Sequence, residues 1–137
     1  MKGYGSFCPV AKAAEILTER WTPLVLRELL LGSHHFNQLR RGIPQMSPTL
    51  LSKRLQTLEE AGLVSRQSGD NGHWEYHPTQ AAMEAWPIID AMGYWGHKWA
   101  RSQLTPGELR GPAHVEYAPF VRSEAHSVRL CAVHRDC

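Results

Sequence analysis

At Gly62 the hydrophobic period of this chain changes from that of a helix to that of a strand. Between Ser47 and Ala61 the apolar residues recur at helical spacing, whereas Leu63–Ser68 and His73–His77 alternate with a period of two. The four residues between these runs, Gly69-Asp70-Asn71-Gly72, are a strong hairpin loop. The expected fold is therefore mainly α with one small β-hairpin, an α+β arrangement.

Upstream, proline and glycine divide the chain into short helices. Pro9 suits the first turn of a helix reaching Leu17, with Val10, Ala13, Ala14 and Leu17 as its apolar stripe. Thr22-Pro23 reads as a capping hydroxyl followed by proline, opening a helix so rich in leucine that it belongs in the core and ends at Gly32. A third helix, from about His35 to Arg41, holds Phe36 and Leu39 inward and closes at Gly42. Ser47-Pro48 then starts the fourth, and the short connection Gly42–Met46 makes the pair a helix-turn-helix. Downstream of the hairpin, Thr79 reads as a cap and Pro87 as a kink or restart. From Pro87 to about Ser102, Ile88, Met92, Trp95 and Trp99 step by 4, 3 and 4, a seam able to meet a partner helix. Ile89, Gly93, Gly96 and Ala100 form a second, smaller row.

The chain has 137 residues, enough for one domain at residues 8–102 and an arm at 103–137 that carries few structural signals. Apolar runs such as Leu29-Leu30-Leu31 stop far short of a membrane span. The N-terminus shows no basic segment leading into an apolar one, and three scattered cysteines do not make a disulfide framework, so a cytoplasmic protein is expected. A net charge of +2 says little about partners. Yet between Arg20 and Arg66 seven cations face three acids, an excess larger than that of the whole chain.

The fourth helix carries the chemistry. Leu51, Leu55 and Leu58 lie within ~60° on a helical wheel and must pack inward. Thr49, Ser52, Lys53 and Gln56 occupy the opposite arc, flanked by Leu50 and Arg54, and the acids Glu59 and Glu60 come only at the far end. Short hydroxyls, an amide and cations are groups that read base edges and bind phosphates, and the N-terminus of such a helix is the end that enters a major groove. A ribbon following directly behind can lie on the duplex as a wing, with Arg66 and His73 reaching phosphates. A solvated amphipathic face and a plain surface turn are the bland alternatives.

These residues resemble the HxlR family of bacterial winged-helix transcriptional regulators. The resemblance rests on Cys8-Pro9-Val10, on Glu19–Leu30 and on Phe36–Arg41. It continues through Ile43-Pro44, Ser47-Pro48, Leu50–Leu55, Leu58–Val64, Tyr76–Thr79 and Trp95-Gly96. It implies a homodimer on a pseudo-palindromic double-stranded DNA operator. Carried over by position, Ser47, Thr49, Leu50, Ser52, Lys53 and Arg54 would face the major groove and His35, Asn37, Arg40 and Arg41 the DNA backbone; the helical wheel adds Gln56 to the first set and the hairpin adds Arg66 and His73 to the second. The first and last core helices would form the dimer interface through Val10, Ala14, Ile88, Met92, Trp95 and Trp99. Gln45-Met46 departs from the small, glycine-containing turn usual before Ser-Pro.

Some members of that family sense oxidants or electrophiles through a cysteine at the position of Cys8. A thiol at a helix N-terminus with Lys12 one turn on suits that role, and a cysteine packed against the dimer partner is the alternative. The tail places His126, Cys131, His134 and Cys137 close in sequence, a weak zinc pattern at a chain end, so no cofactor is expected. Trp74, Trp86, Trp95 and Trp99 with Met83 and Met92 form either an effector pocket or, more simply, core and interface. No catalytic constellation is present, so an enzyme is not expected. The competing functions are a winged helix used only for protein association, and a metal- or redox-responsive regulator.

Overall fold

The computed structural model describes residues 3, 5 and 7–100. The chain divides into two units, one through Glu84 and one from Ala85. In the first, α1 spans Pro9–Leu17, α2 Thr22–Leu30, α3 Phe36–Gly42, α4 Pro48–Glu60 and α5 Gln80–Glu84. Strands β1 (Val64–Ser68) and β2 (Trp74–Pro78) form an antiparallel hairpin in the register Val64↔Pro78, Arg66↔Tyr76 and Ser68↔Trp74. The core of this unit is almost entirely aliphatic. It consists of Val25, Leu26 and Leu29 from α2, Leu39 from α3, and Leu51, Leu55 and Leu58 from α4, with Leu63 and Val64 entering the ribbon. Supporting helices therefore fix α4 through one face only and leave the other to solvent.

Several boundaries have causes other than those suggested by local sequence. Thr22 is a buried residue of the first helical turn, not a cap. Trp21 takes the cap position with φ 75°. A left-handed non-glycine residue costs about 1–2 kcal/mol, and here it makes a tight reversal. The Glu19 carbonyl accepts from Thr22 N at 3.0 Å, and the Trp21 carbonyl accepts from Val25 N at 3.0 Å. Gly42 closes α3 as expected, as its last helical residue and without a positive φ. A Cβ there would collide with the Glu28 carboxylate, which Arg27 Nη2 holds at 2.9 Å. Thr79 does not cap α5 with its side chain; its hydroxyl donates to the Gly62 carbonyl at 2.7 Å and clamps the two ends of the ribbon together.

The turn between α3 and α4 dispenses with glycine. Met46 N donates to the Ile43 carbonyl at 3.1 Å, and both side chains are buried. Met46 stands just before the Ser47 cap and Leu51 four residues into the helix, the placement of a hydrophobic staple. Ser47 Oγ accepts from Leu50 N at 3.2 Å, so the cap expected from Ser47-Pro48 forms.

In the second unit α6 covers Trp86–Trp95, and Pro87 lies in its first turn, so it starts a helix rather than kinking one. The backbone then widens into a π-helical segment, Gly96–Ala100. A continuous α-helix to Ser102 is thus corrected, and Ser102 itself lies outside the described residues. Ile88, Met92, Trp95 and Trp99 are all exposed, the two tryptophans by 62% each, whereas Ile89 is buried. Pro87, Ile88, Ala91, Met92 and Trp95 line one open apolar depression. No helix among the described residues is long and apolar enough to cross a membrane.

Candidate nucleic-acid interface

The outward arc of α4 is the one drawn from the sequence, with a single exception. Thr49, Ser52, Lys53 and Gln56 are exposed and Leu50 is half-buried. The Ser47 hydroxyl is occupied as the cap, and Gln56 Nε2 donates to Glu60 Oε1 at 3.2 Å, turning that amide toward the C-terminal end. The exception is Arg54. Its side chain is buried, with Nη1 2.6 Å from Glu19 Oε1 and with Nε left without a hydrogen-bond partner. It ties α4 to the α1–α2 connection and lies buried there, which corrects its assignment to a groove. The i+3 and i+4 positions of Leu51 are Arg54 and Leu55, so Arg54 falls on the inward stripe and survives there only because Glu19 meets it.

The charge excess of this region is also smaller in space than in sequence. Glu19, one residue before the counted segment, neutralises Arg54, and Glu28 neutralises Arg27. Among the described residues Arg40, Arg41 and Lys53 form no ion pair, and all three are exposed. Asn37 is exposed on α3, and its carbonyl accepts from Arg41 Nε at 3.4 Å. Three of the unneutralised cations of this region thus belong to α3 and to the exposed arc of α4, and the fourth, the exposed Arg20, stands between α1 and α2.

Alternation along the ribbon sorts its side chains. Arg66, Ser68, Trp74 and Tyr76 share one face, and Ser65, Gln67, Glu75 and His77 share the other. On the first, the Arg66 guanidinium lies 4.4 Å from the Trp74 ring centroid and its Nε is 3.9 Å from Glu59 Oε1. His73 is exposed beside the loop, where Gly72 adopts φ 72°.

On the second face is a cluster that sequence reading missed. His34 and His77 stack with centroids 4.4 Å apart. A carbonyl and a carboxylate only accept, so His34 Nδ1 donates to the Tyr76 carbonyl at 3.0 Å and His77 Nε2 to Glu75 Oε2 at 2.9 Å. Tyr76 N donates to the His34 carbonyl at 2.8 Å, and His35 bridges Glu75, so the segment before α3 adds to the edge of β2. His35 Nε2 sits 3.8 Å from Glu75 Oε1, which draws this residue toward the ribbon. The alternation of Glu75 with His77 signals their shared face, but no local pattern announces His34.

Burial holds the His34 pKa below 6.5; the Tyr76 hydrogen bond opposes that shift and the neighbouring His77 adds to it. Glu75 is held below 4.5, chiefly by the hydrogen bond from His77. An unfolded chain protonates both groups more readily than the native one, so stability should fall with pH. The loss begins as pH drops below 6.5 toward the native His34 value, and Glu75 adds to it below 4.5. Urea midpoints measured from neutral pH to about pH 4 should decline, and His34→Phe should flatten the first part of that decline. A midpoint unchanged across the first interval would contradict the burial argument.

Among the described residues no group of three His, Cys, Asp or Glu could hold a metal ion, and His126, Cys131, His134 and Cys137 lie outside them. Cys8 is exposed at the N-cap of α1. None of the α1 residues is buried, Val10 is exposed and Ala14 is half-buried. Of the aromatic group suggested as a pocket, Trp74 stands on the ribbon beside Arg66, Met83 and Trp86 are half-buried, and Met92 and Trp95 line the depression on α6.

The fold is similar to those of solved regulators. The oxidized form of the redox regulator HypR matches with a TM-score of 0.62 at 27% identity, over 66% of this chain and 96% of that one. The reduced form of the transcriptional regulator YodB from Bacillus subtilis matches with a TM-score of 0.60 at 25% identity, over 71% and 98%. In sequence the chain is 38% identical over 112 residues to an HTH-type transcriptional regulator of Mycobacterium tuberculosis, spanning 80% of this chain and 70% of that protein. It is 34% identical over 95 residues to the HTH-type regulator YvaP of Bacillus subtilis, spanning 67% and 88%. Residues 16–104 match the model of the HxlR-like helix-turn-helix family. With a winged helix-turn-helix fold, an exposed polar arc on its second helix and this match over most of its length, the chain belongs to the HxlR-like family of transcriptional regulators.

Proposed function

We propose that the protein is a homodimeric, sequence-specific DNA-binding regulator of the bacterial cytoplasm, in which α4 enters the major groove and the ribbon acts as wing. The observation that carries this is the exposed arc Thr49, Ser52, Lys53 and Gln56, free of acids until Glu59, with unneutralised Arg40 and Arg41 exposed on the preceding helix of the helix-turn-helix. Thr49, Ser52 and Lys53 read bases or adjacent phosphates, while Asn37, Arg40, Arg41, Arg66 and His73 set the register on the backbone. Exposed apolar residues on α1, on α6 and on the π-helical segment after it, including Val10, Ile88, Met92, Trp95 and Trp99, are covered by a second copy, and two recognition helices then reach half-sites about 34 Å apart. Amino-acid side chains alone make these contacts, with no cofactor and no catalytic step.

Lys53→Ala tests the placement of α4. If Lys53 meets phosphate, binding should weaken on every sequence and log K should depend less steeply on log salt, by about one unit per protomer. If it reads a base, discrimination at one position should fall by about 1–3 kcal/mol. A variant with wild-type affinity, discrimination and salt slope would favour a protein-association module instead.

A second reading, oxidant control through Cys8, is favoured by its exposure at a helix start and by the likeness to HypR and YodB. The same titration after diamide treatment should show altered binding in the wild type and none in Cys8→Ser. Equal responses would remove Cys8 from that role.

A further inference from the structure

The wing carries an aromatic residue that the core does not use. Trp74 is 52% exposed, and the side chain lying over it is the cation Arg66, itself 44% exposed. The two are diagonal neighbours on one face of the ribbon, since Arg66 pairs with Tyr76 and Trp74 with Ser68. Diagonal positions are within reach of aromatic and long side chains. Glu59 Oε1, at 3.9 Å from Nε, is too distant for a hydrogen bond, and among the described residues Arg66 makes none. The guanidinium is therefore oriented by the indole while its donors remain available.

We propose that Trp74 is a positioning residue for DNA binding, holding the Arg66 guanidinium along the wing so that it meets a backbone phosphate of the duplex. This rests on the DNA-binding reading above. An arginine on an unsupported strand must surrender side-chain freedom when it docks, whereas one already ordered over an aromatic face surrenders less. Cation–π attraction is weak at exposed sites, but here it selects one orientation from many. Gly69 and Gly72 border the loop beside the pair, and Gly72 at φ 72° lets the turn close tightly.

The test uses the full chain and a duplex that the wild type selects from a randomised pool, with affinity measured across a salt series. Trp74→Leu should weaken binding about three- to tenfold, and Trp74→Phe, which keeps a ring face, should stay within about twofold. In an Arg66→Ala background Trp74→Leu should add nothing, because its effect passes through the missing guanidinium. Additive losses would overturn the proposal, since a purely structural tryptophan would weaken both backgrounds alike. Arg66→Lys gives a second reading that does not depend on Trp74→Leu folding. Lysine keeps the charge but lacks the planar fork, so affinity should fall by about threefold with the salt slope retained, and undiminished affinity would overturn the proposal. If Arg66→Ala binds as the wild type while Lys53→Ala is weakened, the wing proposal fails and the DNA-binding reading stands. If no duplex is selected at all, both fail.

Discussion

Glu19→Ala should destabilise the protein by about 2–4 kcal/mol, more than Arg54→Met at the other end of the same ion pair. The Arg54 side chain is 10% exposed and that of Glu19 is 31% exposed, so the two mutations are not equivalent. Removing the carboxylate leaves a guanidinium in the interior with no counter-ion, and its Nε already lacks a partner. Losing one partner of a fully buried pair costs about 3–5 kcal/mol, and water reaching the half-exposed Glu19 side lowers that figure. Removing Arg54 instead leaves Glu19 able to turn to solvent, and methionine refills much of the volume of the arginine stem. We expect Arg54→Met to cost about 1 kcal/mol or less. Urea unfolding with unchanged m-values would measure both. Arg54→Met should also retain DNA affinity and salt slope, in contrast to Lys53→Ala one residue earlier. A steep loss of affinity in Arg54→Met with normal stability would return Arg54 to the groove.

The second large effect concerns assembly. Trp95→Lys, or Met92→Lys if the first variant folds poorly, should convert the protein to a monomer and weaken operator binding by about 100-fold or more. Both residues are exposed on α6 beside Ile88 and Trp99, and a charge among them would be desolvated by an approaching second copy. Two linked recognition helices gain from effective concentration, so separating them loses far more than either half-site contact alone. Light scattering after size exclusion reads the mass, and titration of the selected duplex reads the affinity. A Trp95→Lys protein that remains dimeric would mean that another surface joins the copies. Ile89, buried on the same helix, is the position to leave untouched.

Much of the candidate interface was readable because α4 is governed by short-range periodicity. The leucines at 51, 55 and 58 define an inward stripe, and a 3.6-residue repeat then places Thr49, Ser52, Lys53 and Gln56 outside without knowledge of any neighbour. Arg54 was misplaced because it stands at the margin of that stripe, where helix phase alone decides nothing. Its direction depends on Glu19, thirty-five residues away, and on a reversal at Trp21 whose left-handed backbone has no sequence marker. The histidine cluster was missed for the same reason. Glu75 and His77 share a strand face by alternation, but His34 joins them only when the segment before α3 pairs with β2.

Sequence by itself determined the order of the elements, the Ser47 cap, the presence of the hairpin and the polar arc of α4. Each follows from backbone sterics, capping or hydrophobic period within a few residues. Tertiary structure alone decided which cations are left unneutralised. Seven between Arg20 and Arg66 looked alike as charges, yet Arg27 and Arg54 are spent on Glu28 and Glu19, and Arg66 is oriented by Trp74. An ion pair or a cation–π contact forms over a few ångströms, and which side chains come that close is set by how helices and ribbon pack.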